Sequence, residues 1–300
     1  MSSPFALIDP PEAPVRPRLF LDAQHGLCNR LRAMASGAAI AKATGRDLVV
    51  VWRRDHHCDA RIGDLLAYPG AVIEEDDVAD LCRDLSERVY NYMEIEPGSA
   101  YLEPILAQND ATSGDIYVRS AYTLVSPHAD PAAEQVFLRG LIPSEPVCDL
   151  IKKVRHPNDV AVHIRISTGP GFDHLSYESP DNWPEERHAE MLYWRAKSQP
   201  EVFEARLDEL IAQGKAETVF LAADLPETYA RFQDRYGDRL SYLPRKLYDR
   251  SAEQLQYALA DLLLLTRAER LLASNWSSFS DVAQRLAPLG RPVEQSGTDF

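Results

Sequence analysis

Residues 160–171 read Val-Ala-Val-His-Ile-Arg-Ile-Ser-Thr-Gly-Pro-Gly, and this stretch decides the fold. Its first seven residues alternate and are rich in β-branched side chains, which predicts a buried strand. His163 and Arg165 are two positions apart, so both side chains leave the same face of that strand. The Ser-Thr-Gly-Pro-Gly that follows cannot continue a strand and predicts a turn.

Arg165 therefore stands at the carboxyl end of a strand, beside a glycine-rich loop. Open α/β sheets bind anionic ligands at this place, and the donors of a guanidinium match phosphate oxygens in pairs. The alternative is a buried ion pair that ties two layers of the fold together. The stretch by itself favours neither interpretation.

The bulk composition limits the classes of function. A chain of 300 residues is long enough for two domains, each with its own core. Its 45% hydrophobic and 26% charged residues are typical of soluble globular proteins. A formal charge of −14 argues against a nucleic-acid partner, although a local basic pocket remains compatible with it. No apolar run approaches the ~20 residues that cross a bilayer, so no membrane span is predicted.

The amino terminus and the cysteines bear on location. Residues 1–17 contain five prolines and predict an extended lead-in, without the basic start and apolar core of a signal peptide. The four cysteines are scattered and form no C-x-x-C pair, which indicates reduced thiols. We therefore predict a cytoplasmic protein.

The first half of the chain begins with a βαβ unit. Arg18–Asp22 and Leu48–Trp52 are predicted strands, and Leu27–Ala43 is a predicted helix between them. Strands joined in this way are parallel and the crossover is right-handed. Gly26 precedes the helix, so free backbone N–H groups are expected there, and such groups commonly bind phosphate.

Arg30 and Arg32 add positive charge to the first turn of that helix, where the helix dipole does not favour it. This mismatch indicates an external anion. The alternative is that both arginines are solvated or paired with acids, and for Arg32 this alternative is favoured. The segment has neither G-x-x-x-x-G-K-[ST] nor G-x-G-x-x-G, so it is not a nucleotide P-loop or a dinucleotide fingerprint.

Two polar runs resemble metal sites, and we predict no metal at either. Residues 53–59 (Arg-Arg-Asp-His-His-Cys-Asp) are too close together to converge on one tetrahedral ion. They predict a polar loop, in which Asp55 and Cys58 are candidates to line a cleft. The acidic run 74–77 is followed by apolar residues at helical spacing and predicts the solvated start of a helix.

The second half continues the α/β pattern after a predicted linker at Pro143 and Pro146. We expect an N-terminal domain over 18–145 and a C-terminal domain over 146–300. Beyond residue 166 we predict five helices, at 185–197, 201–213, 226–236, 252–266 and 281–286. We predict three strands there, at 218–222, 240–243 and 270–274.

Two of these strands end in further polar residues. Asp224 follows one strand, and its carboxylate suits a ribose or a guanine base or, alternatively, the cap of the next helix. Ser274 ends another strand, and Ser277 or Ser278 is a candidate N-cap of the helix that follows. The free N–H groups at such a helix start suit a second phosphate.

The motifs resemble those of the fucosyltransferase superfamily, which includes nodulation, α1,6- and protein O-fucosyltransferases. The matching segments are Gly-Leu-Cys-Asn-Arg at 26–30, His-Ile-Arg at 163–165, Phe-Leu-Ala-Ala-Asp at 220–224 and Ala-Ser-Asn-Trp-Ser-Ser-Phe at 273–279. Trp52 to Asp55, Cys58 and Leu65 also resemble the loop after the second strand in bacterial members. The resemblance runs from about Arg18 to Leu286.

This resemblance implies a GT-B-like α/β fold, with two Rossmann-like domains facing each other across a cleft. It implies inverting transfer of fucose from GDP-fucose to a glycan or other hydroxyl acceptor, with no cofactor and no obligatory metal. The implied roles, residue by residue, place Arg165 on the diphosphate, His163 on the nucleotide, Asp224 on the guanosine, Ser277 and Ser278 on the phosphates, and Gly26 and Asn29 on the sugar side. We count Ser274 among the binding residues as well.

The chain departs from the family pattern after His-x-Arg, because Ile166, Ser167 and Thr168 stand where many members have a basic residue and an acid. The donor sugar and the catalytic base are therefore open. Inverting transfer needs a base near the acceptor hydroxyl or a reactive acceptor. Asp173 is the first candidate, with Glu178 and Asp181 behind it, and a plain loop residue is the alternative.

Three functions remain compatible with the sequence: a GDP-fucose transferase, a transferase for another nucleotide sugar, and a non-catalytic nucleotide- or glycan-binding protein. Phe172, Tyr177 and Trp183 offer aromatic faces for a sugar acceptor or for packing. The sequence carries no signal for the acceptor's identity or for an oligomeric state.

Overall fold

The computed structural model describes residues 16–107, 112–166, 183–246 and 249–300, which form two five-stranded parallel sheets. The first sheet has the order β3-β2-β1-β5-β4. Its half of the chain contains β1 (Arg18–Ala23), α1 (Leu27–Ala43), β2 (Asp47–Val51), α2 (Ile62–Leu65), β3 (Ala71–Ile73), α3 (Asp76–Leu85), β4 (Arg88–Asn91), β5 (Ile116–Ser120), α4 (Pro131–Gly140) and α5 (Glu145–Ile151).

The second sheet has the order β10-β9-β6-β7-β8, with β6 at its centre. The elements of this half are β6 (Val160–Ile164), α6 (Glu185–Ala196), α7 (Pro200–Ala212), β7 (Val219–Ala223), α8 (Pro226–Tyr236), β8 (Leu240–Ser241), α9 (Ala252–Leu265), β9 (Arg270–Ala273), α10 (Ser278–Leu286) and β10 (Val293–Gln295). All strand pairs in both sheets are parallel. The predicted fold class, with two Rossmann-like sheets, is confirmed.

Helix α1 has the bounds that the sequence predicts, and its small residues explain how closely it lies on the sheet. Gly37 shows this best, because a Cβ atom there would stand 3.1 Å from Cδ2 of Leu21 in β1. That distance is shorter than an ordinary van der Waals contact. A larger side chain would push the helix, and the loop before it, away from the sheet.

Strand β6 is shorter than predicted and ends at Ile164 rather than Ile166. The next two backbone N–H groups turn to side chains of neighbouring strand ends. That of Arg165 donates to Oγ of Ser274 over 2.8 Å, and that of Ile166 donates to Asp224 over 3.2 Å. The polar side chains predicted at the strand ends therefore terminate the central strand.

Several short elements were not predicted, namely α2, β3, β4, α4, α5 and β10. Most span one or two turns or three to five residues, too few for a periodic pattern to be distinct. Helix α4 did carry a local signal. Asp130 caps it by accepting from the N–H groups of Ala132 and Ala133 at 2.9 and 3.1 Å, and Pro131 occupies its first position.

The largest hydrophobic cluster belongs to both halves. It joins residues of β1 and α1, such as Leu21 and Leu31, to residues of β7, α9 and α10, such as Phe220, Leu262 and Val282. Helix α1 packs on α10, and α5 packs on α9. The predicted linker around Pro143 leads directly into α5, and the domain boundary at residue 145 remains a prediction. Across the described ranges, no helix has the length and hydrophobicity needed to cross a bilayer.

Candidate functional site

A cavity of about 700 Å³ lies where loops from the two sheets meet. Residues that follow β1, β4, β6, β7 and β9 line it, together with the starts of α1 and α10 and one face of α9. Because all strands are parallel, their carboxyl ends share one edge of each sheet. This is the edge at which open α/β folds bind ligands.

Arg165 and Asp224 form an ion pair in the wall of this cavity. Nη1 of Arg165 donates to Oδ2 of Asp224 over 2.7 Å, and the two side chains are only 14% and 15% exposed. Burial raises the pKa of Asp224, against the opposing charges of Arg165 and Arg195. The ion pair considered in the sequence is thus present, and it holds the guanidinium at the cavity instead of between two layers.

Ser274 lines the cavity, but its hydroxyl is engaged within the protein. Oγ donates to the carbonyl of His163 over 3.1 Å and accepts from the N–H of Arg165 over 2.8 Å. The side chain is almost fully buried. Its observed role is to join the end of β9 to the end of β6, and this sets the positions of His163 and Arg165.

His163 is buried in the same wall. Its ring stacks on Phe279 with the centroids 4.8 Å apart, and Nδ1 lies 2.8 Å from Oγ of Ser280. Burial, and then the charges of Arg165 and Arg195, lowers the pKa of His163 to about 3. The imidazole is therefore neutral at physiological pH.

The start of α10 opens on the cavity and brings Ser277 and Ser278 to it. Helix α10 begins at Ser278, earlier than the predicted residue 281, and Ser277, one of the two predicted candidates, is its N-cap, although its side chain makes no capping hydrogen bond. The first bond of the helix runs from the N–H of Asp281 to the carbonyl of Ser277 over 3.1 Å. The three preceding N–H groups belong to the helix end that attracts anions.

A second helix start faces the same cavity. Gly26 is the N-cap of α1, and both Gly26 and Asn29 line the cavity. A Cβ at Gly26 would lie 3.9 Å from Nη1 of Arg250. Since this is ordinary contact distance, and φ at Gly26 is −69°, the structure does not require glycine there for steric reasons.

The two arginines of the first α1 turn have unlike environments. Arg30 is fully buried and pairs with Asp55 (Nη2 to Oδ2, 3.1 Å), while its other nitrogens donate to the carbonyls of His25 and Arg53, both at 2.7 Å. For Arg30 the external anion was the wrong interpretation. Arg32, for which pairing was favoured, instead lines the cavity, donating from Nε to the carbonyl of Ala121 over 3.0 Å.

The loop after β2 presents its histidines, and not Asp55 and Cys58, to the cavity. Asp55 is turned inward, where Oδ1 accepts from the N–H groups of His57 and Cys58. His56 and His57 line the cavity with His25, and the tilted ring of His57 lies 4.0 Å from that of His56 and 4.8 Å from that of His25, between centroids. Within the described part of the chain, no group of three or more His, Cys, Asp or Glu is arranged to hold a metal ion.

Asp261, which was not among the predicted site residues, is a buried acid that lines the cavity. It lies in the middle of α9, where Oδ2 accepts from Nη2 of Arg245 over 2.5 Å. Oδ1 is buried without a hydrogen-bond partner among the described residues. Burial raises the pKa of Asp261 to about 6, against the opposing charge of Arg245. The signal in the sequence was a lone acid at an apolar position of the helix, just before four leucines.

Asp173, Glu178 and Asp181 lie outside the described residues, as do Phe172 and Tyr177. Trp183 is described and lines the cavity, with its ring 5.6 Å from that of Trp276. Of the predicted binding residues, all seven line this one cavity: Gly26, Asn29, His163, Asp224, Ser274, Ser277 and Ser278. Their contact with a ligand remains a prediction.

Comparison with known proteins gives matches in structure but not in sequence. No protein-family model matches the chain, and no curated protein matches it. Among solved structures, the fucosyltransferase NodZ from Bradyrhizobium aligns over 91% of this chain and 95% of its own, with 18% identity and a TM-score of 0.60. NodZ alpha-1,6-fucosyltransferase soaked with GDP-fucose aligns over 92% and 97%, with 17% identity and a TM-score of 0.58.

A third solved structure is POFUT1 in complex with GDP, which aligns over 95% of this chain and 99% of its own. Its identity is 16% and its TM-score 0.55. These alignments extend over almost the whole of each chain. The protein therefore has the fold of the fucosyltransferases, as its short motifs predicted.

Proposed function

We propose that the protein is a fucosyltransferase-like glycosyltransferase that transfers fucose from GDP-fucose to a glycan or other hydroxyl acceptor, with inversion and without a metal. One observation carries the proposal: Oδ1 of Asp261, which has no hydrogen-bond partner among the residues that the structure describes, belongs to the same cavity as Arg165 and the start of α10. The shared fold supports it, because the similar structures include complexes with GDP-fucose and GDP. The cytoplasmic location and the absence of a nucleic-acid partner belong to the same proposal.

The carboxylate of Asp261 favours guanine over other bases. A buried acceptor without a partner costs free energy, which a ligand recovers by donating a hydrogen bond. Guanine presents its N1–H and its 2-amino group side by side, so both point toward one carboxylate. Uracil has a single N–H on the corresponding edge, and adenine has an acceptor at N1. The nucleotide with the best complement to Asp261 is a guanosine nucleotide.

The positive end of the cavity suits the diphosphate. Arg165 is held at the wall by Asp224, and the start of α10, with Ser277 and Ser278, lines the same cavity. When the bond between the sugar and the diphosphate breaks, negative charge develops on the leaving GDP. A fixed guanidinium and a helix start stabilise that charge without a metal ion.

The sugar and the acceptor then belong on the side of α1, where Gly26, Asn29 and Arg32 line the cavity. The acceptor hydroxyl attacks the anomeric carbon from the face opposite the departing diphosphate, which inverts that centre. Its proton passes to a base, and we propose Asp173 in this role on the sequence grounds given above. A carboxylate of ordinary pKa is ionised at neutral pH and needs no further activation.

A panel of nucleotide sugars tests the proposal. We would measure the melting temperature of the protein in EDTA with GDP-fucose, GDP-mannose, UDP-glucose and GDP. A ligand that binds only the folded protein at 100 times its Kd adds about 2.7 kcal/mol to the free energy of unfolding. We expect GDP and GDP-fucose to raise the melting temperature, and GDP-fucose to be converted slowly to free GDP.

Three other results of this experiment would change the proposed donor, activity or metal requirement. A shift with a UDP-sugar alone would keep the fold and replace the donor. Binding of GDP-fucose with no release of GDP, even with candidate glycans added, would indicate a binding protein. A shift that needs Mg²⁺ or Mn²⁺ would reject the metal-free mechanism.

A further inference from the structure

Ser280 lies in the cavity wall, between two polar groups. Its Oγ is 2.9 Å from the carbonyl oxygen of Ser274 and 2.8 Å from Nδ1 of His163. All three residues are buried. Ser280 was not singled out in the sequence, and the proposed reaction does not use it.

The hydrogens of this group can be assigned by counting donors. A backbone carbonyl has no hydrogen, so the single hydroxyl hydrogen of Ser280 must point at Ser274. The short contact with His163 then requires a hydrogen on Nδ1. We infer that Ser280 fixes His163 as the Nδ1–H tautomer and leaves Nε2 as a hydrogen-bond acceptor at the cavity.

The surroundings of His163 support this assignment. Nε2 makes no hydrogen bond to any residue in the described ranges, and the residue lines the cavity. The doubly protonated ring would also place a hydrogen on Nδ1, but burial and the neighbouring charges of Arg165 and Arg195 oppose it. The ring of Phe279 stacks on one face of the imidazole and holds its plane in place.

This inference rests on the proposed function for its consequence. The acceptors that the cavity presents to a nucleotide then include Nε2 of His163 and the buried Oδ1 of Asp261. A matching ligand must donate at least two hydrogens, which the base and the ribose hydroxyls of a guanosine nucleotide supply. Ser280 is a positioning residue, because it acts on the ligand only through His163.

The tautomer can be measured directly by NMR on protein labelled with ¹⁵N-histidine and free of nucleotide. The chemical shifts of the two ring nitrogens distinguish N–H from bare nitrogen, and His163→Gln identifies the signal of His163. We expect a protonated Nδ1 and a bare Nε2 at neutral pH. A wild-type protein with the hydrogen on Nε2 would overturn the inference, whatever the variants do.

Two variants test the role of Ser280. Ser280→Ala removes the acceptor of the Nδ1 hydrogen, so we expect a mixture of tautomers and a GDP affinity lowered by about tenfold, the cost of one hydrogen bond. Ser280→Thr keeps the hydroxyl and should restore both the tautomer and the affinity. Ser280→Ala protein with an unchanged Nδ1–H signal would return Ser280 to a packing role.

The same measurements separate this inference from the proposed function. Wild-type protein that shows the Nδ1–H tautomer but does not bind GDP would reject the proposed function and keep the assignment of Ser280. Protein that binds GDP with the hydrogen on Nε2 would do the reverse.

Discussion

Replacing Asp261 with asparagine should reduce the affinity for GDP and remove the preference for guanine. The carboxylate offers Oδ1 to a ligand, while Oδ2 is bound to Arg245. Hydrogen bonds to a charged group contribute about 1.5–3 kcal/mol each, so the loss of one or two lowers affinity by roughly 10- to 10⁴-fold. Asparagine has nearly the same shape, so the cavity itself should persist.

Calorimetry with GDP and with inosine diphosphate, which lacks the 2-amino group, isolates this contact. The wild-type protein should bind GDP more tightly than inosine diphosphate, whereas Asp261→Asn should bind both with similar, weaker affinity. Folded Asp261→Asn protein that keeps the wild-type affinity for GDP would refute the assignment of Asp261. The variant should also melt at a lower temperature, because breaking a buried ion pair typically costs about 3–5 kcal/mol. Tyr229 and Tyr257 should moderate that cost by cation–π contact, since their rings lie 5.6 and 5.2 Å from the guanidinium of Arg245.

The pKa of Asp261, about 6, gives the same contact a pH dependence. Protonation removes the acceptor character of the carboxylate, so affinity should be full above pH 6 and fall as the pH decreases below it, by at most about tenfold per pH unit. GDP-fucose is the ligand to use, since a terminal phosphate monoester titrates with a pKa of about 6 and an esterified one does not. His163 does not contribute, because its pKa of about 3 keeps it neutral throughout. Asp261→Asn should give a flat profile, and a wild-type profile equally flat between pH 7 and pH 5 would contradict the reasoning.

Three further predictions concern catalysis and stability. Arg165→Ala should stay folded and lose on the order of 3 kcal/mol of transition-state stabilisation, and Arg165→Lys should restore part of it. Near-normal turnover of Arg165→Ala would show that Arg165 has only a structural role, in its ion pair with Asp224. Asp173→Asn should leave GDP affinity unchanged and lower transfer by about 10²-fold, whereas the control Glu94→Gln, at a carboxylate that lines the cavity, should transfer normally. The reverse result would move the base to Glu94. The free energy of unfolding should fall with pH below about 6.5, because burial lowers the pKa of three histidines in the fold: to about 4 for His25, about 2 for His57 and about 3 for His163. Each such group destabilises the fold by at most about 1.4 kcal/mol per pH unit below its unfolded pKa. Urea titrations at pH 7 and pH 5 give the change in the free energy of unfolding between the two pH values, and this change should be smaller for His163→Gln than for wild type. An equal change would reject the assignment of His163 as a buried neutral histidine.

The sequence predicted the scaffold of the site well because strong local signals specify it. Helix α1 consists mostly of good helix formers between Gly26 and Gly45, and its bounds were predicted to the residue. The strand ends that carry Arg165, Asp224 and Ser274 follow from short β-branched runs broken by polar residues. Because parallel strands bring their carboxyl ends together, the predicted residues meet in one cavity.

Side-chain direction and long-range pairing could not be predicted in the same way. Arg30 and Arg32 are two positions apart on α1, so they point to different faces, and only the packing of the helix decides which one reaches the cavity. The environment of Asp261 depends on Arg245, 16 residues earlier and outside the helix. No local pattern contains that partner, and the acid therefore looked like an exception in an apolar helix.

The hydrophobic cluster shared by the two sheets has a consequence for cooperativity. Separating the sheets would expose apolar side chains of α1, α9 and α10 together, so the two halves should lose their structure in one transition and not in two. Binding energy released at the second sheet then stabilises the first sheet as well. A nucleotide in the cleft should therefore slow amide hydrogen exchange along the whole of β1 and β5 in the first sheet, including their amino-terminal residues.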